Sequence, residues 1–238
     1  MNVVITGASK GIGFAIAEKL LAAGLVEKLA ICSRSRSEID DARARLLAGY
    51  PDVTVIAEEC DVSREDEVAY FADYVQRELG HVDVLVNNAG FGKFAKVHEM
   101  ETSVWNDVIR TNLRGVFLLT KALLPSMRAR KNGTIVTISS LAGKNGFSGG
   151  AAYCSAKFAV RGMMQSLFLE VRQDNIRVVT LFPGSVNTNF FVTAGYGIQP
   201  AQRTLSAEDV ADAVLATIRL PQSADISELD IRPTNPKA

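Results

Sequence analysis

A short apolar run, Asn2–Thr6, passes directly into Gly7-Ala8-Ser9-Lys10-Gly11-Ile12-Gly13, and this junction constrains the fold more than any other stretch of the chain. Glycines at this density allow a tight turn and a close approach of another group to the backbone. From residue 12 to 23, apolar side chains recur at helical spacing (Ile12, Ile16, Leu20) until Gly24 ends the pattern. A helix that begins on such a turn presents unpaired N–H groups at its N-terminus, a natural seat for phosphate. Strand, glycine turn and helix in that order open a βαβ unit. They mark Gly7, Ser9, Lys10, Gly11, Ile12 and Gly13 as candidates to receive a dinucleotide pyrophosphate.

The rest of the chain keeps the same rhythm. Further strands are expected at 29–32, 53–57, 82–86, 134–138, 176–182 and 226–231. Helices are expected at 37–47 with Ser37 as cap, and at 63–79 with Ser63 and Asp66 close to a capping box. A long one follows at 102–130, then 151–172 and 206–218. Alternation of this kind implies parallel pairing through right-handed crossovers. The strands read as nearly continuous apolar runs, as when both sheet faces are covered. The expected fold is therefore a single α/β domain over 1–238, doubly wound and Rossmann-type. Its seven-stranded sheet would be mostly parallel, with helices on both faces. One stretch breaks the rhythm. Residues 187–205 hold Phe190, Phe191, Gly195, Tyr196, Gly197 and Pro200 without a helical stripe, and are expected to form a lid over substrate.

Composition narrows the function classes. Lys plus Arg equals Asp plus Glu at 26 each, so the basic excess of a phosphate-gripping nucleic-acid binder is missing. Cys32, Cys60 and Cys154 are odd in number and contain no CxxC, which fits a reducing cytoplasm better than a disulfide framework or a zinc site. The first strand starts at once, so no leader is expected, and no apolar run reaches the roughly 18–20 residues of a membrane span. His81 and His98 are the only histidines and lie far apart, so no metal site is expected.

Reactive chemistry concentrates at Tyr153 and Lys157, which share one face of a helix at i and i+4, preceded by Ser140. An ammonium beside a phenol favours the phenolate and would pull its pKa toward neutral, which suits a general acid. A nucleotide site followed by such an acid reads as hydride transfer to a carbonyl.

These pieces together identify the chain as similar to the short-chain dehydrogenase/reductases over residues 2–232. The resemblance is carried by Thr6-Gly7-Ala8-Ser9-Lys10-Gly11-Ile12-Gly13, Asp61-Val62, Asn87-Asn88-Ala89-Gly90 and Asn112. It continues in Ser139-Ser140, Tyr153 with Lys157, and Pro183-Gly184 with Thr188. It implies that Asp61 and Val62 contact adenine, and that Asn87, Ala89 and Gly90 lie along the cofactor ribose while Asn88 is structural. Pro183 and Gly184 would bound the nicotinamide, with Val186 and Thr188 holding its carboxamide. Tyr153 would be the general acid, Ser140 a donor to the substrate oxygen, Lys157 a partner of the ribose, and Asn112 the holder of a relay water. Ser139 would face away.

Strand two ends Ile31-Cys32-Ser33-Arg34, without the acid that holds a ribose 2′-hydroxyl. Ser33, Arg34 and Lys10 instead suit a 2′-phosphate, so the expected cofactor is NADP(H). Glu38, Asp40 and Asp41 lie further along and are not read as ribose ligands.

For substrate, Phe91, Phe94, Leu141, Phe147, Phe190, Phe191 and Tyr196 could line an apolar pocket, with Lys93 and Lys144 meeting a polar substituent. Two branches of the family compete for this small-molecule carbonyl substrate. The 3-oxoacyl-acyl-carrier-protein reductases dock an acidic carrier through basic residues, here Arg128, Arg130 and Lys131, but the second docking place reads Gln173-Asp174-Asn175. The tail Glu228-Leu229-Asp230-Ile231-Arg232-Pro233-Thr234 is more similar to bacterial sepiapterin-reductase-like proteins. An NADP(H)-sensing binding protein without turnover, and a dehydrogenase working oxidatively, stay open. The family's habit implies a homodimer or homotetramer built on helices 102–130 and 151–172.

Overall fold

Side chains along a strand point alternately to its two faces, so a strand covered on both sides must be apolar at nearly every position. The computed structural model, which describes residues 1–195 and 204–234, shows this arrangement. Its strands are β1 (Asn2–Thr6), β2 (Lys28–Ser33), β3 (Thr54–Glu59), β4 (Val84–Asn87), β5 (Gly133–Ile138), β6 (Ile176–Pro183) and β7 (Glu228–Ile231). Among the described residues they form one seven-stranded sheet, ordered β3-β2-β1-β4-β5-β6-β7, with every pairing parallel. The helices are α1 (Gly11–Ala22), α2 (Arg36–Gly49), α3 (Glu65–Leu79), α4 (Thr102–Ile109), α5 (Gly115–Arg130), α6 (Ala151–Val171), α7 (Phe190–Thr193) and α8 (Ala207–Ile218). This is the expected doubly wound Rossmann-type α/β architecture.

The period of two divides the core. Val3, Ile5, Leu29, Ile31, Val136 and Leu181 face a cluster completed by Ile16 and Leu20 of α1, Ile39 of α2 and Val214 of α8. Val4, Ala30, Leu85, Ile135 and Val178 face the other way, onto Phe71 of α3, Leu119 and Leu123 of α5, and Val160 of α6. Each fully buried side chain of this size contributes about 1.5–3 kcal/mol, and truncating one such as Phe71 to Ala costs about 3–5 kcal/mol. Arg177 closes the end of the sheet where β6 begins. Its buried guanidinium donates to Thr134 Oγ1 and to the carbonyls of Thr217, Ile218 and Leu220 at and just past the C-terminus of α8.

Several local expectations are corrected. Ser35, not Ser37, caps α2, accepting from the N–H of Glu38 at 3.4 Å. The helix after β3 starts at Glu65 with Arg64 at its cap position, because Asp61 and not Ser63 turns the chain, accepting from the Ser63 N–H at 2.9 Å. β7 begins at Glu228, two residues later than expected. Ser206 does form a capping box with Asp209 on α8. The helical stretch expected at 102–130 is continuous, with a π-helical turn, Arg110–Arg114, inserted between α4 and α5. Single π turns recur at functional sites, where they redirect one side chain.

Candidate active site

β1 is flanked by β2 and β4, so the winding of the sheet reverses there and opens a crevice at the carboxyl ends of the strands. The cleft at that place has a volume of about 1880 Å³, above the roughly 300–1,000 Å³ of a usual small-ligand pocket. It is long enough to have two chemically distinct ends.

One end gathers Ser140, Tyr153, Lys157 and Asn112 from three elements. Ser140 follows β5 and caps a 3-10 turn, Leu141–Gly143, its Oγ accepting from the Ala142 N–H at 3.1 Å. That hydroxyl lies on the Tyr153 side of the cleft and acts to lower the pKa of the phenol. Tyr153 and Lys157 lie one turn apart on α6, with Nζ 5.6 Å from the phenol ring centroid. Lys157 Nζ donates to the carbonyl of Ile138 at 2.9 Å, which ties α6 to the end of β5. Ser139 turns the other way, its Oγ donating to the Lys157 carbonyl.

Asn112 sits inside the π turn and is fully buried. Its amide donates to the carbonyls of Phe91 at 2.8 Å and Val108 at 3.0 Å. Both N–H groups are thereby used, which fixes the direction of Oδ1. Oδ1 is buried with no protein partner among the described residues. A Cβ on Gly90 would meet it at 2.6 Å and would lie 3.7 Å from Lys157 Nζ, so a glycine is needed where these two polar atoms flank the chain.

The electrostatics differ from the sequence expectation. Burial pushes the Tyr153 phenol above its ordinary value, opposed by the Ser140 hydrogen bond. Burial also pulls Lys157 down to about 8. Lys157 therefore does not draw the phenol toward neutral in this structure. Both groups are out of water, and desolvation disfavours each charged form. The phenol accordingly stays protonated at neutral pH.

The other end is built on the glycine turn. Gly7, Ser9, Lys10, Gly11 and Ile12 line the cleft. Gly13 does not, a correction: a Cβ there would meet Asn88 Nδ2 and the Gly7 carbonyl, each at 2.5 Å, so this glycine serves packing beneath the turn. Asn87 is also corrected. It is buried away from the cleft, its amide donating to Thr120 Oγ1 at 3.2 Å. Asn88, together with Ala89 and Gly90, lines the cleft instead, and its Nδ2 holds the carbonyls of Thr6 and Gly7. Asp61 and Val62 follow β3 and line the same end.

Ser33, the last residue of β2, and Arg34 line the same cleft as Lys10. Arg34 lies over the Phe91 ring at 5.7 Å. Sequence reasoning dismissed Glu38, yet it lines the cleft here and accepts from Lys10 Nζ at 2.8 Å. The available signal was its place three residues after the capping Ser35, which turns its side chain back toward the start of α2.

At the end of β6 and beyond it, Pro183, Gly184, Val186 and Thr188 line the cleft. The Thr188 methyl lies 3.5 Å from where a Gly11 Cβ would stand. Phe91, Phe94, Leu141, Phe147, Phe190 and Lys93 also line the cleft. Phe94 meets Tyr153 edge-on at 5.8 Å, and Phe190 lies 5.4 Å from the same ring. Lys144 is a correction: it is held by Glu228 at 3.1 Å and Asp230 at 2.6 Å, and points away from the cleft. Tyr196, Gly197, Pro200 and the Phe191 side chain lie outside the described residues.

A cradle of backbone at a helix N-terminus, two cations at one end, and a buried oxygen of Asn112 at the other fit the expected dinucleotide in extended form. Among the described residues no group of His, Cys, Asp and Glu is placed to hold a metal.

Comparison with known proteins agrees with this geometry. A family model described as short chain dehydrogenase matches residues 1–196. A sepiapterin reductase of Chlorobaculum tepidum is 31% identical, over 98% of this chain and 96% of that protein. An alcohol dehydrogenase from the archaeon Thermococcus sibiricus, complexed with 5-hydroxy-NADP, is 31% identical. It superposes with a TM-score of 0.90 over 100% of this chain and 99% of that one. A metagenomic short-chain oxidoreductase in complex with NADP is 35% identical, with a TM-score of 0.85 over 99% and 97%.

Proposed function

We propose that this chain, an oxidoreductase that belongs to the short-chain dehydrogenase family, reduces a ketone or aldehyde with NADPH. One observation carries the reading. A protonated phenol, a serine hydroxyl and a buried lysine converge at one end of a cleft whose other end carries Lys10 and Arg34. The NADP complexes of two similar structures support the choice of cofactor.

When bound, NADPH supplies the hydride. Ser140 donates to the substrate oxygen and positions it. Tyr153 gives its proton to that same oxygen as negative charge develops there. Its phenol, raised by burial, keeps that proton until a stronger base forms beside it. Lys157 orients the ribose and carries the replacement proton, a task that a pKa of about 8 suits. Oδ1 of Asn112 holds the next link of the relay. Lys10, Ser33 and Arg34 would receive the 2′-phosphate. Asp61 and Val62 would take the adenine, and Val186 and Thr188 the carboxamide.

The described part of 187–205 supports a lid, since Phe190 packs on Tyr153. Outward Phe117 on α5, and Phe158 and Leu169 on α6, support a homodimer or homotetramer. Three buried, unpaired cysteines support a cytoplasmic setting. Among the described residues no helix is long and apolar enough to cross a membrane.

Within the family we favour a sepiapterin-reductase-like substrate. Two of the three basic residues of the carrier-protein dock are engaged within the chain, Arg128 donating to Asp174 at 2.7 Å and Arg130 pairing with Asp83, which weighs against that reading. The test follows NADPH oxidation by absorbance against sepiapterin, acetoacetyl thioesters, diketones and aldehydes. Turnover of one of these is expected. NADPH binding without turnover of any would favour the sensing protein instead.

A further inference from the structure

The ribose end of the cleft holds a carboxylate among its cations. Glu38, on the first turn of α2, accepts from Lys10 Nζ at 2.8 Å and from Ser9 Oγ at 3.3 Å. It thereby takes the two polar side chains of the glycine turn that face the phosphate region. The Lys10 hydrogen bond, aided by the charges of Lys10 and Arg34 and by Ser9, holds the Glu38 carboxyl below the usual carboxylate range despite its desolvation. Glu38 is therefore ionised at neutral pH. The neighbouring acids and bases are otherwise engaged. Arg36 pairs with Glu58 and Asp40 and does not line the cleft. Lys10 and Arg34 thus face Glu38, with Asp61 the other carboxylate lining this end of the cleft.

Two cofactors differ at this point by one group. A 2′-phosphate brings about −1.5 to −2 charges and only acceptor oxygens, so it competes with Glu38 for Lys10 and is repelled by it. A bare ribose presents a 2′-hydroxyl, whose proton a carboxylate accepts. Discrimination is a difference of two affinities, and one residue can act on both with opposite sign. We propose that Glu38 is a specificity-determining residue of the ribose site. It competes with the 2′-phosphate for Lys10 and favours the 2′-hydroxyl, so the protein separates NADPH from NADH less sharply than its two cations alone would. This rests on the NADPH reading above. The Lys10 and Glu38 side chains are 60% and 47% exposed, so a factor of a few is the scale of the effect.

The test is isothermal titration of the ligand-free protein with NADPH, NADH and the fragment 2′,5′-ADP, for the unmodified chain, Glu38→Gln and Lys10→Gln. Glu38→Gln should tighten NADPH and 2′,5′-ADP by about three- to tenfold, while NADH holds or weakens by up to about threefold. The gain should shrink at 0.5 M salt, where exposed charges are screened. In a Lys10→Gln background the same change should give a smaller gain, because the competed cation is gone. Both positions are half-exposed, and an unchanged melting midpoint checks that the variants fold. If Lys10→Gln weakens NADPH but Glu38→Gln leaves it equal or weaker, Glu38 merely steadies the glycine turn and this inference alone falls. If Lys10→Gln leaves NADPH binding untouched, the 2′-phosphate does not sit on Lys10, and the inference falls together with the cofactor reading.

Discussion

At one end of the cleft Lys157 and Asn112 are buried and held by backbone carbonyls, those of Ile138, Phe91 and Val108. At the other end the side chains of Lys10 and Glu38 stand half in solvent and, among the described residues, hydrogen-bond each other and Ser9. The first arrangement places groups by the fold itself and displaces their pKa values through desolvation. The second arranges charges by mutual attraction in water, where each contact is weak and salt-sensitive. Electrostatic interactions strengthen as water is removed. The buried end should therefore govern rate by large factors, and the exposed end should govern choice of cofactor by smaller ones.

The largest effect expected is at the buried end. Tyr153→Phe should lower kcat by about 10²–10⁴-fold and leave the NADPH dissociation constant nearly unchanged, since only the proton donor is lost. Stopped-flow turnover and calorimetry on one preparation check this, and a variant with near-normal kcat would break the comparison. Next comes Arg34→Asp at the exposed end. It should shift the NADPH/NADH ratio of kcat/KM by about tenfold to a hundredfold, the exposure of the site holding it to that range. Equal kcat/KM for the two cofactors in the unmodified protein would show that this end does not select.

Lys157 gives a pH signature that only a buried cation produces. In the ligand-free protein it titrates near 8, whereas an unfolded lysine titrates near about 10.4. Below that window both states are protonated and the cost of the buried ammonium is present in full. Between the two values the unfolded chain binds more protons, so stability rises with pH. Against Lys157→Met, the unmodified chain should gain up to about tenfold in folding constant per pH unit across that window, measured by urea unfolding. A difference independent of pH would mean that Lys157 is solvated. The smallest effect expected is at Phe190, which packs on Tyr153. Phe190→Ala should raise KM or change substrate preference by a few-fold, with NADPH affinity little altered. If it lowered the melting midpoint steeply instead, Phe190 would belong to the core around Tyr153 and not to a cover over substrate.

Much of this was legible in the residues. The glycine turn after Asn2–Thr6, the alternation of strand and helix, and the spacing of Tyr153 and Lys157 are local patterns, and local periodicity is what a strand or helix reports. Less legible was what depends on a neighbour distant in sequence. Lys144 looked available to substrate until β7 supplied Glu228 and Asp230. Gly13 and Asn87 had the right residue types and order, yet Asn88 and Thr120 draw them into packing. Glu38 was set aside because it lies on the next helix, and the turn of that helix brings it to Lys10.

The order and identity of the elements, the parallel sheet and the residue types of the reactive end follow from the sequence by itself, because they rest on contacts between near neighbours and on an apolar pattern of fixed period. Three things were decided only by the tertiary structure. They are the π turn that aims Asn112 beside Gly90, the upward shift of the Tyr153 phenol, and the carboxylate among the ribose cations. Each depends on how much water and which charges surround a side chain once distant segments have packed against it, and burial and distance are not written in the order of residues.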